Sequence, residues 1–173
     1  MEAHSPKGWV LAVDPFTEQQ LEKIRLRLKR KNGLRLLCII NLAANSGFRM
    51  IDVLSLKVGQ VRKLSVGDQL KVKETKTGKS NTFHFNGLMI DSLRAYLKTV
   101  NLKALDWLFP SRRRKGHHLT SEWIGDLIKA LAIELGFKGR NGSHSMRKTF
   151  SASNFKNGQD PFVLMLKFRH ARM

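Results

Sequence analysis

Asn45-Ser46-Gly47-Phe48-Arg49-Met50-Ile51-Asp52-Val53-Leu54-Ser55-Leu56, residues 45–56, sets one arginine just after a glycine turn and at the head of an apolar run. The run reads as a short helix from about Arg49 to Leu56. Asp52 lies three residues beyond Arg49, the spacing that places two side chains on one helical face. A guanidinium held by that carboxylate can still aim its fork at a phosphate. Taken alone, the stretch equally fits a surface Arg–Asp pair on a short helix.

Toward the N-terminus, residues 34–45 are almost wholly apolar, and their length and their Leu and Ala content favour a buried helix. Before them, Thr17-Glu18-Gln19-Gln20 forms a capping box that opens a helix to about Lys31, ended by Asn32-Gly33. Residues 1–15, with Pro6, Gly8 and Pro15, read as an entry arm. Beyond Leu56 the pattern shortens. Gln60–Ser65, Gln69–Thr75 and Asn81–Phe85 alternate and are split by Val66-Gly67-Asp68 and Thr77-Gly78-Lys79, which predicts a small three-stranded antiparallel sheet. Helical patterns return near 88–100, 120–135, 144–157 and 160–167. The expected fold is α+β and mainly α, one domain of helices around a small sheet.

Lysine and arginine number 32 against 13 acidic residues, a net charge of +19. Such a charge costs stability by self-repulsion and points to a polyanionic partner, with nucleic acid first. An anionic membrane surface is the rival, although the charge is spread along the chain and not stacked on one amphipathic helix. Apolar residues make up 42%, enough for a core. The single cysteine, Cys38, lies in an apolar run and reads as a buried thiol in a reducing compartment. It excludes an internal disulfide and a cysteine-built zinc site. No run approaches a membrane span, and Met1 to Lys7 lacks a signal-type apolar stretch, so a cytoplasmic, nucleoid-associated protein is expected.

Three further groups carry candidate chemistry. The hairpin tip Glu74-Thr75-Lys76-Thr77-Gly78-Lys79-Ser80 is basic, which solubility alone would explain. In Ser143-His144-Ser145-Met146-Arg147, His144 and Arg147 share a helix face behind Ser143 as expected N-cap. An imidazole and a guanidinium at a helix N-terminus make an anion site. The alternative is a partly buried histidine beside a surface arginine. Last comes Phe168-Arg169-His170, whose histidine by itself is unremarkable.

The four groups in this order resemble the catalytic domain of the tyrosine recombinases, the phage-type integrases. Gly47-Phe48-Arg49 with Asp52 and Leu54-Ser55-Leu56 is similar to the family's first arginine box, and Lys76 to its lysine between the second and third strands. His144-Ser145-Met146-Arg147 resembles its H-x-x-R box, and His170 falls about where its second histidine stands. Asp14-Pro15-Phe16-Thr17 is similar to the start of the domain, so the resemblance spans nearly the whole chain. Arg169 stands where the family usually has glycine.

The resemblance implies DNA breakage and rejoining through a phosphotyrosyl link, without metal or cofactor and with no small-molecule substrate. It makes Arg49, Lys76, His144, Arg147 and His170 the catalytic set and Asp52 the residue that orients Arg49. Lys79, Arg112, Arg113, Arg114 and Lys148 are candidate DNA contacts. The expected partners are double-stranded DNA and other recombinase protomers on it. The family's nucleophilic tyrosine follows the second histidine, and the sequence shown runs to Met173. Residues 1–173 are accordingly expected to be the catalytic domain without the N-terminal core-binding domain and without the C-terminal tyrosine segment. Tyr96, the one tyrosine present, sits in an apolar-striped helix and reads as structural. The competing functional reading is a catalytically inactive, recombinase-like DNA-binding regulator; a nucleic-acid-binding protein of unrelated fold is a third.

Overall fold

A computed structural model describes residues 13–168. Its elements are α1 (Glu18–Arg30), α2 (Leu34–Ser46), α3 (Met50–Leu54), α4 (Val58–Val61), β1 (Gln69–Lys73), β2 (Ser80–His84), α5 (Gly87–Leu97), α6 (Ser121–Glu134), α7 (Ser143–Lys156) and α8 (Pro161–Phe168). The expected capping box is formed: Gln20 N donates to Thr17 Oγ1 at 3.2 Å, and Thr17 N donates to Gln20 Oε1 at 2.9 Å. Leu21, Ile24 and Leu28 make the buried face of α1, and Asn32, in the left-handed region at φ 54°, turns the chain into α2.

α2 is the central helix. It is buried from Leu37 to Ala44, Cys38 included, and α1, α3, α5 and α7 pack around it. A helix that is apolar on all sides can only lie inside a core. Burial raises the Cys38 thiol pKa, so the thiol stays protonated as a small apolar side chain. Tyr96 on α5 is also buried; its hydroxyl donates to Leu108 O at 3.0 Å and its ring stacks on Phe109.

The sheet has two strands and not three. β1 and β2 pair antiparallel, with Gln69 opposite His84 and Lys73 opposite Ser80. The expected first strand, Gln60–Ser65, is instead the end of α4 and the turn after it. Val58 and Val61 are buried at helical spacing, and Gln60 Oε1 caps Lys57 N at 2.7 Å. The amides of Val58 and Gly59 donate to Asp106 and Ala104 carbonyls at 3.0 and 2.8 Å. Within the expected strand, Arg62 N donates to Val58 O at 3.0 Å and Leu64 N to Val61 O at 3.2 Å, so these amides are not available to a sheet ladder. The remaining hairpin is fastened to the core by Phe83, which stacks on Phe48 with ring centroids 3.7 Å apart.

Gly47 closes α2 in the left-handed region at φ 69°. A Cβ there would stand 2.6 Å from Cδ1 of Phe150 on α7, so the residue must be glycine both for its torsion and for the closeness of α7. This turn carries Arg49 to the head of α3 and brings α3 against α7. α7 itself is capped by Gly142 and not by Ser143, which is its first helical residue. Gly142 N donates to Ser145 Oγ at 3.1 Å, and no N-cap side chain accepts from the first-turn amides.

Candidate active site

Arg49 is the N-cap of α3, and its side chain is 20% exposed. Its Nη1 donates to Glu74 Oε2 at 2.6 Å. Glu74 is buried at the end of β1 and receives two more hydrogen bonds, from Thr77 Oγ1 at 3.0 Å and from Asn81 Nδ2 at 2.7 Å. Burial opposes ionisation of this carboxyl. The bonds from Asn81, Arg49 and Thr77, with the charge of Arg49, outweigh it and hold the pKa below the ordinary value.

The expected Asp52–Arg49 pair is not what the structure contains. Asp52 is fully buried, and its Oδ1 accepts from Thr75 N at 2.7 Å. It ties α3 to the hairpin tip, while Glu74, reached across 25 positions of chain, takes the guanidinium. Asp52 Oδ2 has no hydrogen-bond partner among the described residues.

Arg147 comes from the first turns of α7 and is half-buried. Its Nη1 donates to Gly47 O at 2.7 Å and its Nη2 to Phe168 O at 3.2 Å, and its guanidinium lies 4.3 Å from the centroid of the Phe168 ring. Burial and then the neighbouring charge of Arg49 lower its pKa to about 10, so it stays cationic at neutral pH. His144 is exposed one turn earlier. Arg49 and His144 line one cavity of about 500 Å³ with Arg114, His117, His118 and Ser143. Arg147 is not among its walls.

Lys76 is exposed at the hairpin tip, between Thr75, held by Asp52, and Thr77, held by Glu74. Arg112 and Arg113 line a second cavity that shares Arg114 with the first. Lys79 and Lys148 are exposed. His170 lies outside the described residues.

Two residues of the site escaped the sequence reading. Glu74 follows Val72 by two along β1 and so falls on the inward face; a carboxylate at an inward position was the available signal. Lys167 is the one charge in the apolar run of α8. Its amine donates to Thr82 O and lies 4.9 Å from the Phe48 ring centroid, and Asn81 Nδ2 donates to Lys167 O at 3.1 Å. Burial is the main cause that lowers its pKa to about 8. Among the described residues no cluster of His, Cys, Asp and Glu is placed to hold a metal ion, and no helix is long and apolar enough to cross a membrane.

Residues 15–173 match the phage integrase family. The chain belongs to that family. Its relatives include the tyrosine recombinase XerD of Caulobacter vibrioides, 30% identical over 146 residues that cover 80% of this chain and 47% of the relative. XerD of Rickettsia bellii is 29% identical, over 80% of this chain and 49% of its own length. The chain thus spans about half the length of the curated relatives it matches. Among solved structures, XerA recombinase superposes with a TM-score of 0.75 at 20% identity, over 99% of this chain and 58% of that one. XerH recombinase bound to its difH substrate gives 0.71 at 21%, over 91% and 47%. The catalytic domain of bacteriophage HP1 integrase gives 0.61 at 16%, over 93% and 83%. These structural likenesses concern the fold: integrase-family catalytic domains share this helical frame around a small sheet.

Proposed function

We propose that the chain is the catalytic part of a site-specific DNA recombinase, which cuts and rejoins strands of duplex DNA through a 3′-phosphotyrosyl intermediate. The observation that carries the reading is the shared cavity of Arg49 and His144, with Arg147 braced on the same Gly47 turn. In the reaction a tyrosine oxygen attacks phosphorus, a P–O(Tyr) bond forms, and the bond to the 5′ oxygen breaks. Arg49 stabilises the charge on the non-bridging oxygens, and the family resemblance gives Arg147, braced behind the Gly47 turn, the same role. His144, exposed on the cavity wall, accepts the tyrosine proton. Lys76, on its exposed turn, gives a proton to the departing 5′ oxygen. His170 donates a hydrogen bond to the phosphate. The partners in this reading are double-stranded DNA and further protomers bound to it, and the compartment is the cytoplasm.

Glu74 takes over the orienting role that the resemblance gives to Asp52. Each of its oxygens is engaged, and the Arg49 Nη1 bond leaves the rest of that guanidinium free to face the cavity.

Tyr96 does not supply the nucleophile. Its hydroxyl is committed to Leu108 O inside the core, and freeing it would open packing worth a few kcal/mol. A nicked suicide substrate and a denaturing gel test this directly. The 173-residue chain is expected to give no covalent DNA band, and a chain extended through the position of the family tyrosine is expected to give one. A band from the 173-residue chain that disappears in Tyr96→Phe would overturn the assignment. No band from the extended chain would favour the inactive DNA-binding regulator.

A further inference from the structure

The second cavity, about 390 Å³, is lined by four arginines, Arg35, Arg112, Arg113 and Arg114, together with Thr120 and Trp123 and without any carboxylate. Four guanidiniums around one hollow repel one another, and burial already lowers the pKa of Arg35. Arg35 spends Nη2 on Pro110 O at 2.6 Å, while its Nε is buried with no partner among the described residues. The positive charge gathered in this cavity is what an oxyanion would offset.

Part of the wall is aromatic. Trp123 is 44% exposed, and Arg113 covers its ring only loosely, with the guanidinium carbon 5.4 Å from the centroid. Leu119 supplies an apolar wall. The arginine-bearing loop has a set shape: Ser111 N donates to His117 O at 2.8 Å, Arg114 N to Ser111 Oγ at 3.1 Å, and Trp107 Nε1 to Gly116 O at 2.8 Å. An arginine-rich cavity beside a half-exposed indole that Arg113 covers only loosely, with room for one ring and one phosphate, fits a nucleotide. A free phosphate needs no indole, and a base paired inside a duplex has no face to offer it.

We propose that this cavity takes one unpaired nucleotide of the bound DNA, its phosphate on the Arg35, Arg112 and Arg114 forks and its base stacked on Trp123. Arg113 moves to the outer face of the base. The inference rests on the DNA reading above. The two cavities share Arg114 and Thr120 and so adjoin one another. Pulling a paired base out of the stack costs more than one indole returns, so the site selects a base that is already unpaired.

The test compares three DNAs with the full chain: a paired duplex, the same duplex with one bulged 2-aminopurine nucleotide, and the same duplex with an abasic bulge. The expected result is about tenfold tighter binding of the base-containing bulge than of the abasic bulge, with a change in 2-aminopurine emission. Trp123→Ala should erase that difference and leave the affinity for paired duplex unchanged; Trp123→Phe should keep part of it. Equal binding of the two bulges overturns the proposal and leaves the cavity to a protein partner. Equal losses on all three DNAs in Trp123→Ala and in Trp123→Phe overturn it too, because they mark a structural role. Absence of salt-sensitive binding to the paired duplex is a separate outcome; it removes the DNA reading itself and this inference with it.

Discussion

Glu74 holds an ionised carboxylate inside the protein between a guanidinium, an amide and a hydroxyl, and it is the residue on which Arg49 and the hairpin tip both depend. Glu74→Gln keeps the size and removes the charge, and should cost about 1–3 kcal/mol at neutral pH, the range for a hydrogen bond to a charged group left unbalanced. The folded pKa lies below the ordinary 4.5, so the carboxylate stabilises the fold fully above that value. That contribution is lost as pH falls below it through the folded pKa. Urea unfolding of the wild type and Glu74→Gln should therefore differ at pH 7 and converge in strong acid. A gap that stays constant down to the acid limit would mean the charge of Glu74 contributes nothing. The residue was hidden from the sequence by its place in a basic, glycine-containing tip, where a charge is ordinarily solvated.

At the scale of elements, the α2–α3 turn and α7 are the two parts that must meet for the site to exist, and Gly47 is where they touch. Gly47→Ala would combine a strained torsion at φ 69° with a contact of 2.6 Å to the Phe150 ring. The expected cost is about 1–3 kcal/mol, with the Gly47 carbonyl displaced from Arg147 Nη1. Thermal unfolding would read the first effect and weaker binding of duplex DNA the second. An alanine variant as stable as the wild type would show that α7 can shift away without penalty. The hairpin is anchored differently, through the Phe48–Phe83 stack and, at the start of its tip, the Thr75–Asp52 bond. Its tip carries Gly78 in the left-handed region and exposed side chains from Thr75 to Ser80. Amide exchange at Lys76 and Thr77 should accordingly be faster than in the core of α2, where order follows buried contacts. Exchange as slow as that of Ile39 would contradict a turn able to deliver Lys76 to DNA.

For the molecule as a whole, the charge of +19 governs association more than any single contact. Binding to duplex DNA should fall by about a thousandfold or more between roughly 50 and 200 mM salt, as expected when several phosphates are neutralised and their counterions released. Fluorescence anisotropy across a salt series measures the slope directly. Affinity that stays flat with salt would remove phosphate neutralisation as the driving force. Within that general attraction Arg112, Arg113 and Arg114 stand apart, since they project from a loop of set shape beside the cavity of Arg49 and His144. Neutralising them together should lower the slope as well as the affinity.

Sequence by itself determined what depends on residues close in the chain. The capping box at Thr17, the stop at Asn32, the buried run of α2, the two hairpin strands and the four later helices all follow from interactions within a few positions. The family was legible for the same reason, because the groups that carry the resemblance are short local patterns. Tertiary structure decided the rest. Gln60–Ser65 alternates like a strand, yet its Arg62 and Leu64 amides close turns onto the Val58 and Val61 carbonyls, and Val58 and Val61 are buried as a helical pair. Asp52 sits at the right helical spacing from Arg49, yet the Thr75 amide claims it and Glu74 receives the arginine. In both cases a hydrogen-bonding group chose between a near partner and a distant one. That choice is set by which groups become buried together, which local spacing does not encode.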